Sequence, residues 1–243
     1  MKTLAALFAL AALAVPGGTP AAGGLTVYAA ASLTEVFPRI DRSPRYSFAG
    51  SDQLALQIRQ GAPADVYAAA SPKHPQLLYH DGLVSKPITF ATNKLIVLVP
   101  KSNPAHITSA YDLRRSGVKV VIGDRGVPIG AYTRQLLDAL GITDAVMSNV
   151  VSQETDVKNI VAKVALGEAD AGFVYATDAK AVASRARAIR LPAWAQPLIL
   201  YQVAIVNSSP RKVGARAFIR KVTSDRGRLL LKKAGFGLLP RRR

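Results

Sequence analysis

The stretch Leu25-Thr26-Val27-Tyr28-Ala29-Ala30-Ala31-Ser32-Leu33-Thr34-Glu35 carries the pattern on which the rest of the chain is built. Residues 25–30 form an apolar run of the length of a buried strand, and apolar positions at helical spacing follow over 33–40. Between them, Ser32 with Glu35 three residues later fits a capping box, in which the serine opens the helix and the glutamate reaches back. A strand that runs directly into a helix start is the elementary unit of an open α/β sheet.

The unit recurs downstream. Tyr46-Ser47-Phe48 reads as a short strand, and a helix over 51–60 follows, with Ser51 as N-cap and Gly61 as its end. Further strands are expected over 65–68, 95–99 and 118–122, the second stopped by Pro100. A helix over 130–140 closes at Gly141. Val150-Val151 leads to a helix over 155–166 that closes at Gly167. Strands over 171–175 and 198–206 come next, and helices finish the chain. Such alternation implies parallel sheets covered by helices on both faces. At 243 residues the chain can form two lobes of about 100 residues each. The long apolar strands 95–99 and 198–206 are the natural paired crossings between them.

Bulk properties narrow the function. The net charge of +17 raises nucleic acid or an anionic membrane as a partner. However, 12 of the 32 Lys and Arg fall within 211–243, against the single acid Asp225, and no aromatic residues interleave with them as a base-stacking platform would require. A solvated basic face is the simpler reading. The chain has no cysteine, so disulfides, thiolate metal sites, cysteine nucleophiles and a lipoprotein anchor are excluded. Lys2, the apolar run 4–15 and the small residues up to Ala22 have the order of an export signal, cleaved near Ala21 or Ala22. That run is too short to span a membrane, which takes about 20 apolar residues. The signal peptide is assigned to 1–22, and the protein is expected outside the cytoplasm, periplasmic and soluble.

Enzyme signatures are missing. His74, His80 and His106 are read as lying in Pro- or Gly-flanked loops without metal-ligand spacing, and neither a nucleophile elbow nor a phosphate loop is present. What repeats instead is the strand-to-helix loop: Ala30 to Glu35, Ala49-Gly50-Ser51-Asp52, Val127 to Tyr132, and Glu154-Thr155-Asp156-Val157. In open α/β sheets such loops lie at the carboxyl ends of strands, where ligands bind. Each helix start offers unpaired N–H groups and a partial positive charge. Several aimed at one point make an anion site without any charged side chain, and the first two loops contain no Lys or Arg.

At these residues the chain resembles the periplasmic molybdate-binding proteins of ABC transporters. The resemblance rests on Val27-Tyr28-Ala29-Ala30-Ala31-Ser32-Leu33, Phe48-Ala49-Gly50-Ser51, residues 61–67, Asn93-Lys94-Leu95, residues 127–132 and residues 167–175, in order over nearly the whole mature chain. It implies a type II bilobal clamshell with two parallel-rich sheets, helices on both faces and two crossing strands. Lobe one is then 25–96 plus 203–243, and lobe two is 97–202. It also implies neutral ligand groups: hydroxyl and N–H of Ser32 and Ser51, N–H of Ile129 and Val157, and the hydroxyl of Tyr175. Molybdate or tungstate would be the ligand, with no cofactor, no metal beyond the oxyanion itself and no reaction. The partner would be a membrane permease, and the protein a monomer that binds no nucleic acid. Asp52, Ile129 and Gln202 stand where the family often has serine, alanine and proline. Asp52 is expected to point to solvent as a first-turn acid. A sulfate or phosphate receptor of the same fold is the nearer alternative. A basic surface- or nucleic-acid-binding protein is the distant one, set apart by its steep loss of affinity with salt.

Overall fold

The computed structural model describes residues 24–240, and the expected export signal at 1–22 lies outside them. Lobe one begins with β1 (Thr26–Ala30), α1 (Phe37–Ile40), β2 (Arg45–Ala49), α2 (Ser51–Arg59), β3 (Val66–Ala69), α3 (Lys73–His80) and β4 (Ile88–Asn93). A second run holds β5 (Leu95–Pro100), β6 (Val120–Gly123), α4 (Pro128–Leu140), α5 (Thr143–Met147), β7 (Val150–Glu154), α6 (Val157–Ala165), β8 (Ala171–Tyr175), α7 (Ala176–Ala181) and β9 (Ala186–Arg190). The chain finishes with β10 (Ile199–Ile205), α8 (Lys212–Thr223) and α9 (Asp225–Ala234).

Two five-stranded sheets result, in the orders β2-β1-β3-β10-β4 and β7-β6-β8-β5-β9. Both are mixed rather than wholly parallel. β1 is parallel to β2 and β3, and β6 to β7 and β8, whereas β10 and β5 each run antiparallel to both of their neighbours. The physical reason is connectivity. β5 and β10 are the strands by which the chain arrives from the other sheet, so they enter against the direction of the strands linked through helices.

The chain changes sheet at Lys94 and again between Arg190 and Ile199. Boundaries at 96/97 and 202/203 would cut β5 and β10, each of which lies whole within one sheet. Nor do these two strands pair with one another. The crossings are joined instead by a side chain: Gln196 accepts from the Leu95 N–H at 2.9 Å and donates to the Leu95 carbonyl at 2.8 Å.

Alternating burial packs the first sheet on both faces. Val27, Ala29, Val66 and Ala68 join Phe37, Phe218 and Leu231, while Tyr67 and Ala69 join Leu54, Ile58 and Leu78 beneath α2 and α3. Each of the Val, Leu, Ile and Phe side chains so removed from water contributes about 1.5–3 kcal/mol, and each alanine less.

Local departures from the sequence reading have identifiable causes. Instead of one helix over 33–40, a 3₁₀ turn at Ala31–Leu33 is followed by α1 with Pro38 in its first turn. Pro38 inside the longer helix would lack its N–H and strike the carbonyl four residues before it. The capping box therefore does not form, and Ser32 sits within the 3₁₀ turn. Ser51 is the first residue of α2 rather than its cap, which is Gly50. His74 and His80 lie on α3, not in loops.

Candidate functional site

The carboxyl ends of the parallel strands in both sheets face a single small cavity. The first sheet contributes Ala30, Ala31 and Ser32 at the end of β1, Ala49, Gly50 and Ser51 at the end of β2, and Ala70 after β3. The second contributes Val127, Pro128 and Ile129 at the start of α4, Asp156 and Val157 at the start of α6, and Tyr175 at the end of β8. Ser32, Ser51, Ile129, Val157 and Tyr175, far apart in sequence, are thus brought together. Among the described residues no Lys or Arg lines the cavity.

The donors are held from behind. Ser51 is buried, and its Oγ accepts a hydrogen bond from the Ala70 N–H at 3.1 Å. Its carbonyl accepts from the Tyr67 hydroxyl at 2.6 Å. Ser32 Oγ lies 2.8 Å from the hydroxyl of Tyr201 on β10. Ile129 and Val157 stand in the first turns of α4 and α6, where N–H groups have no intrahelical acceptor. Asp156 caps α6 by accepting from the N–H of Lys158 at 2.7 Å and of Asn159 at 3.2 Å.

Tyr175 differs from the serines. Its hydroxyl oxygen is buried and without a hydrogen-bond partner. A hydroxyl aimed into a cavity with nothing to bond is costly, on the order of 1–3 kcal/mol, unless a ligand meets it. Burial pushes the titration of both Tyr175 and Tyr201 upward, so both keep their hydrogens. Below them lies Asp178, whose carboxyl is pushed up to about 6 by burial, against the opposing pull of Lys158 at 3.2 Å. Lys158 also reaches across to Glu35 in the first lobe at 3.8 Å.

The rim closes on close contact. A Cβ at Gly50 would lie 2.4 Å from the Thr155 carbonyl oxygen of the opposite lobe and 2.7 Å from Asp52 Oδ1. Asp52 does not point freely to solvent: its Oδ1 is buried, and Oδ2 faces Gly126 across the cleft. It does not line the cavity. His74 hydrogen-bonds the Gly126 backbone, and burial lowers its titration. Among the described residues no His, Asp and Glu side chains cluster as a metal site, and no helix is long and apolar enough to cross a membrane.

Tyr201, Asn93 and Thr177 were not among the site residues expected from the sequence, although Asn93 belongs to a stretch that carries the resemblance. The available signal was Tyr201 itself, a polar-tipped residue inside an apolar strand, since a buried hydroxyl requires a partner.

The sequence profile described as bacterial extracellular solute-binding protein matches residues 25–237. The chain is 37% identical over 230 residues to the molybdate-binding protein ModA of Mycobacterium tuberculosis, covering 90% of this chain and 87% of that protein. The periplasmic molybdate-binding protein of Azotobacter vinelandii superposes with a TM-score of 0.78 at 23% identity, over 89% of this chain and all of that one. The sulfate-binding protein SubI of Mycobacterium tuberculosis follows at 0.73 and 19% identity, over 88% of this chain and 86% of that one. The two superpositions speak to the fold.

Proposed function

Because the chain belongs to the bacterial extracellular solute-binding protein family, we propose that it captures molybdate or tungstate outside the cytoplasm and delivers the oxyanion to a membrane ABC permease. The observation that carries this reading is a cavity lined by hydroxyls and helix-start N–H groups with no cationic side chain. Such a lining fits an anion that is held by hydrogen bonds alone, and partial charges at helix starts favour it further. The identity to a molybdate-binding relative supports the choice of ligand.

In this reading Ser32 and Ser51 give hydroxyl and N–H, Ile129 and Val157 give N–H, and Tyr175 gives its hydroxyl. Two lobes, one on each sheet, close over the anion as a monomer, hinged at Lys94 and 191–198. No reaction and no cofactor is proposed. The metal arrives inside the ligand. The net charge of +17 steers anions toward the protein rather than holding them, since among the described residues no cation lines the cavity.

Sulfate is the second reading, because it too is an acceptor-only dianion. It has shorter bonds, and a rigid cage spaced for a larger anion leaves some of its oxygens poorly paired, at about tenfold to a hundredfold in affinity. Calorimetric titration of the purified protein with molybdate, tungstate, sulfate and phosphate is the test. Molybdate and tungstate are expected to bind alike and tightest. Tighter binding of sulfate or phosphate would overturn the assignment.

A further inference from the structure

The hydrogen bonds behind Ser32 have a direction, and it can be read from one backbone contact. Asn93 Oδ1 lies 2.9 Å from the N–H of Lys94, a group that can only donate. The amide of Asn93 is thereby oriented, with both of its hydrogens on Nδ2. That nitrogen lies 3.0 Å from Thr177 Oγ1 and 3.3 Å from the Tyr201 hydroxyl. The oxygen of Tyr201 therefore receives a hydrogen bond, and its own hydrogen is left for Ser32 Oγ at 2.8 Å. The reverse arrangement would have both Ser32 and the Asn93 amide donate to the Tyr201 oxygen and would leave the buried Tyr201 hydrogen without an acceptor among the described residues. With Ser32 Oγ already accepting from Tyr201, the serine hydrogen turns to the cavity. Ser32, Asn93 and Tyr201 are all buried, so the chain of bonds is sheltered.

The remaining groups have the same sense. Ser51 Oγ accepts from Ala70, which leaves its hydrogen for the cavity. The one carboxylate in the lining, Asp156, has Oδ1 occupied by two N–H groups of α6 and Oδ2 3.4 Å from the Asn159 amide.

We infer that Asn93 and Tyr201 are positioning residues that fix Ser32 as a donor, so that the cavity takes fully deprotonated oxyanions and rejects those that carry a proton. This rests on the oxyanion reading above and adds the determinant of protonation state. An acceptor-only dianion is satisfied by every donor around it. Hydrogen phosphate brings a hydrogen that meets another hydrogen.

The test is competition calorimetry with molybdate and inorganic phosphate, in mildly alkaline buffer where phosphate is the monoprotonated dianion. Tyr201→Phe frees Ser32 to accept. It is expected to weaken molybdate about tenfold while phosphate is unchanged or tighter, so the preference narrows about tenfold or more. Asn93→Asp offers Tyr201 an acceptor, reverses the chain and narrows the preference further. Its added charge repels both dianions and so cancels in the ratio. Melting curves identify a variant that fails to fold, and Tyr201→Phe decides alone if Asn93→Asp does. Parallel losses for both anions would mean that the chain is only structural and would overturn the inference. A wild-type protein that binds neither anion overturns the oxyanion reading itself, and this inference with it.

Discussion

Ser51 and Tyr175 offer the same chemical group to the cavity but stand in opposite positions in the fold. Ser51 satisfies the buried N–H of Ala70, whereas the Tyr175 hydroxyl bonds to nothing among the described residues. Ser51→Ala should lose on both counts: about 1–3 kcal/mol of stability from the orphaned N–H, a fall of several degrees in Tm, and about tenfold to a hundredfold in anion affinity. Tyr175→Phe should lose affinity alone, with the ligand-free Tm unchanged or raised. Thermal melts beside calorimetric titration separate the two, and a destabilised Tyr175→Phe would count against a ligand-directed hydroxyl. Ser32, Ser51, Ile129 and Val157 fall in strand-to-helix loops that the sequence pattern marks, whereas Tyr175, the last residue of β8, came only from the resemblance to molybdate-binding proteins. Their partners could not be read from the sequence. Tyr201 lies 169 residues from Ser32, and only the folded sheet brings them together.

Helix starts are the elements that matter most here, and α6 shows how a cap and a site compete. Asp156 stabilises the first turn of α6, yet it puts a carboxylate in the lining of a cavity proposed to hold an anion. Asp156→Asn keeps the capping oxygen and removes the charge, so stability should hold while anion affinity rises severalfold. Asp156→Ala should cost about 1 kcal/mol of stability. Differential scanning calorimetry with and without molybdate reads both. If the asparagine variant bound more weakly, the carboxylate would be serving the anion rather than opposing it. Among elements, the apolar strands and the helices ended by Gly141 and Gly167 were legible from periodicity. β9 was not, because Ala186-Arg187-Ala188-Ile189-Arg190 has little strand propensity and is held as an edge by pairing with β5. α1 was misread for want of weight on Pro38.

In the proposed function the molecule works through the approach of its lobes, and Gly50 marks where they meet. Its backbone (φ −56°, ψ 138°) suits alanine, and within lobe one the added Cβ would displace only the end of the Asp52 side chain, whose Oδ1 would lie 2.7 Å away. Its Cβ would nevertheless lie 2.4 Å from the Thr155 carbonyl oxygen across the cleft. The variant should keep its ligand-free Tm, lose anion affinity at least about tenfold, and no longer contract in small-angle scattering when molybdate is added. Contraction equal to wild type would mean that closure does not bring these backbones together. The two-lobe plan was legible from strand–helix alternation and chain length. The mixed sheets were not, since strand direction depends on which sheet a segment arrives from. One consequence concerns the order in which the chain can fold as it is made. β10 lies between β3 and β4, so the first sheet lacks an interior strand until residues 199–205 have emerged. Every strand of the second sheet precedes that point. The lobe encoded in the middle can therefore complete itself first, and the lobe whose strands begin synthesis is the last to acquire its core.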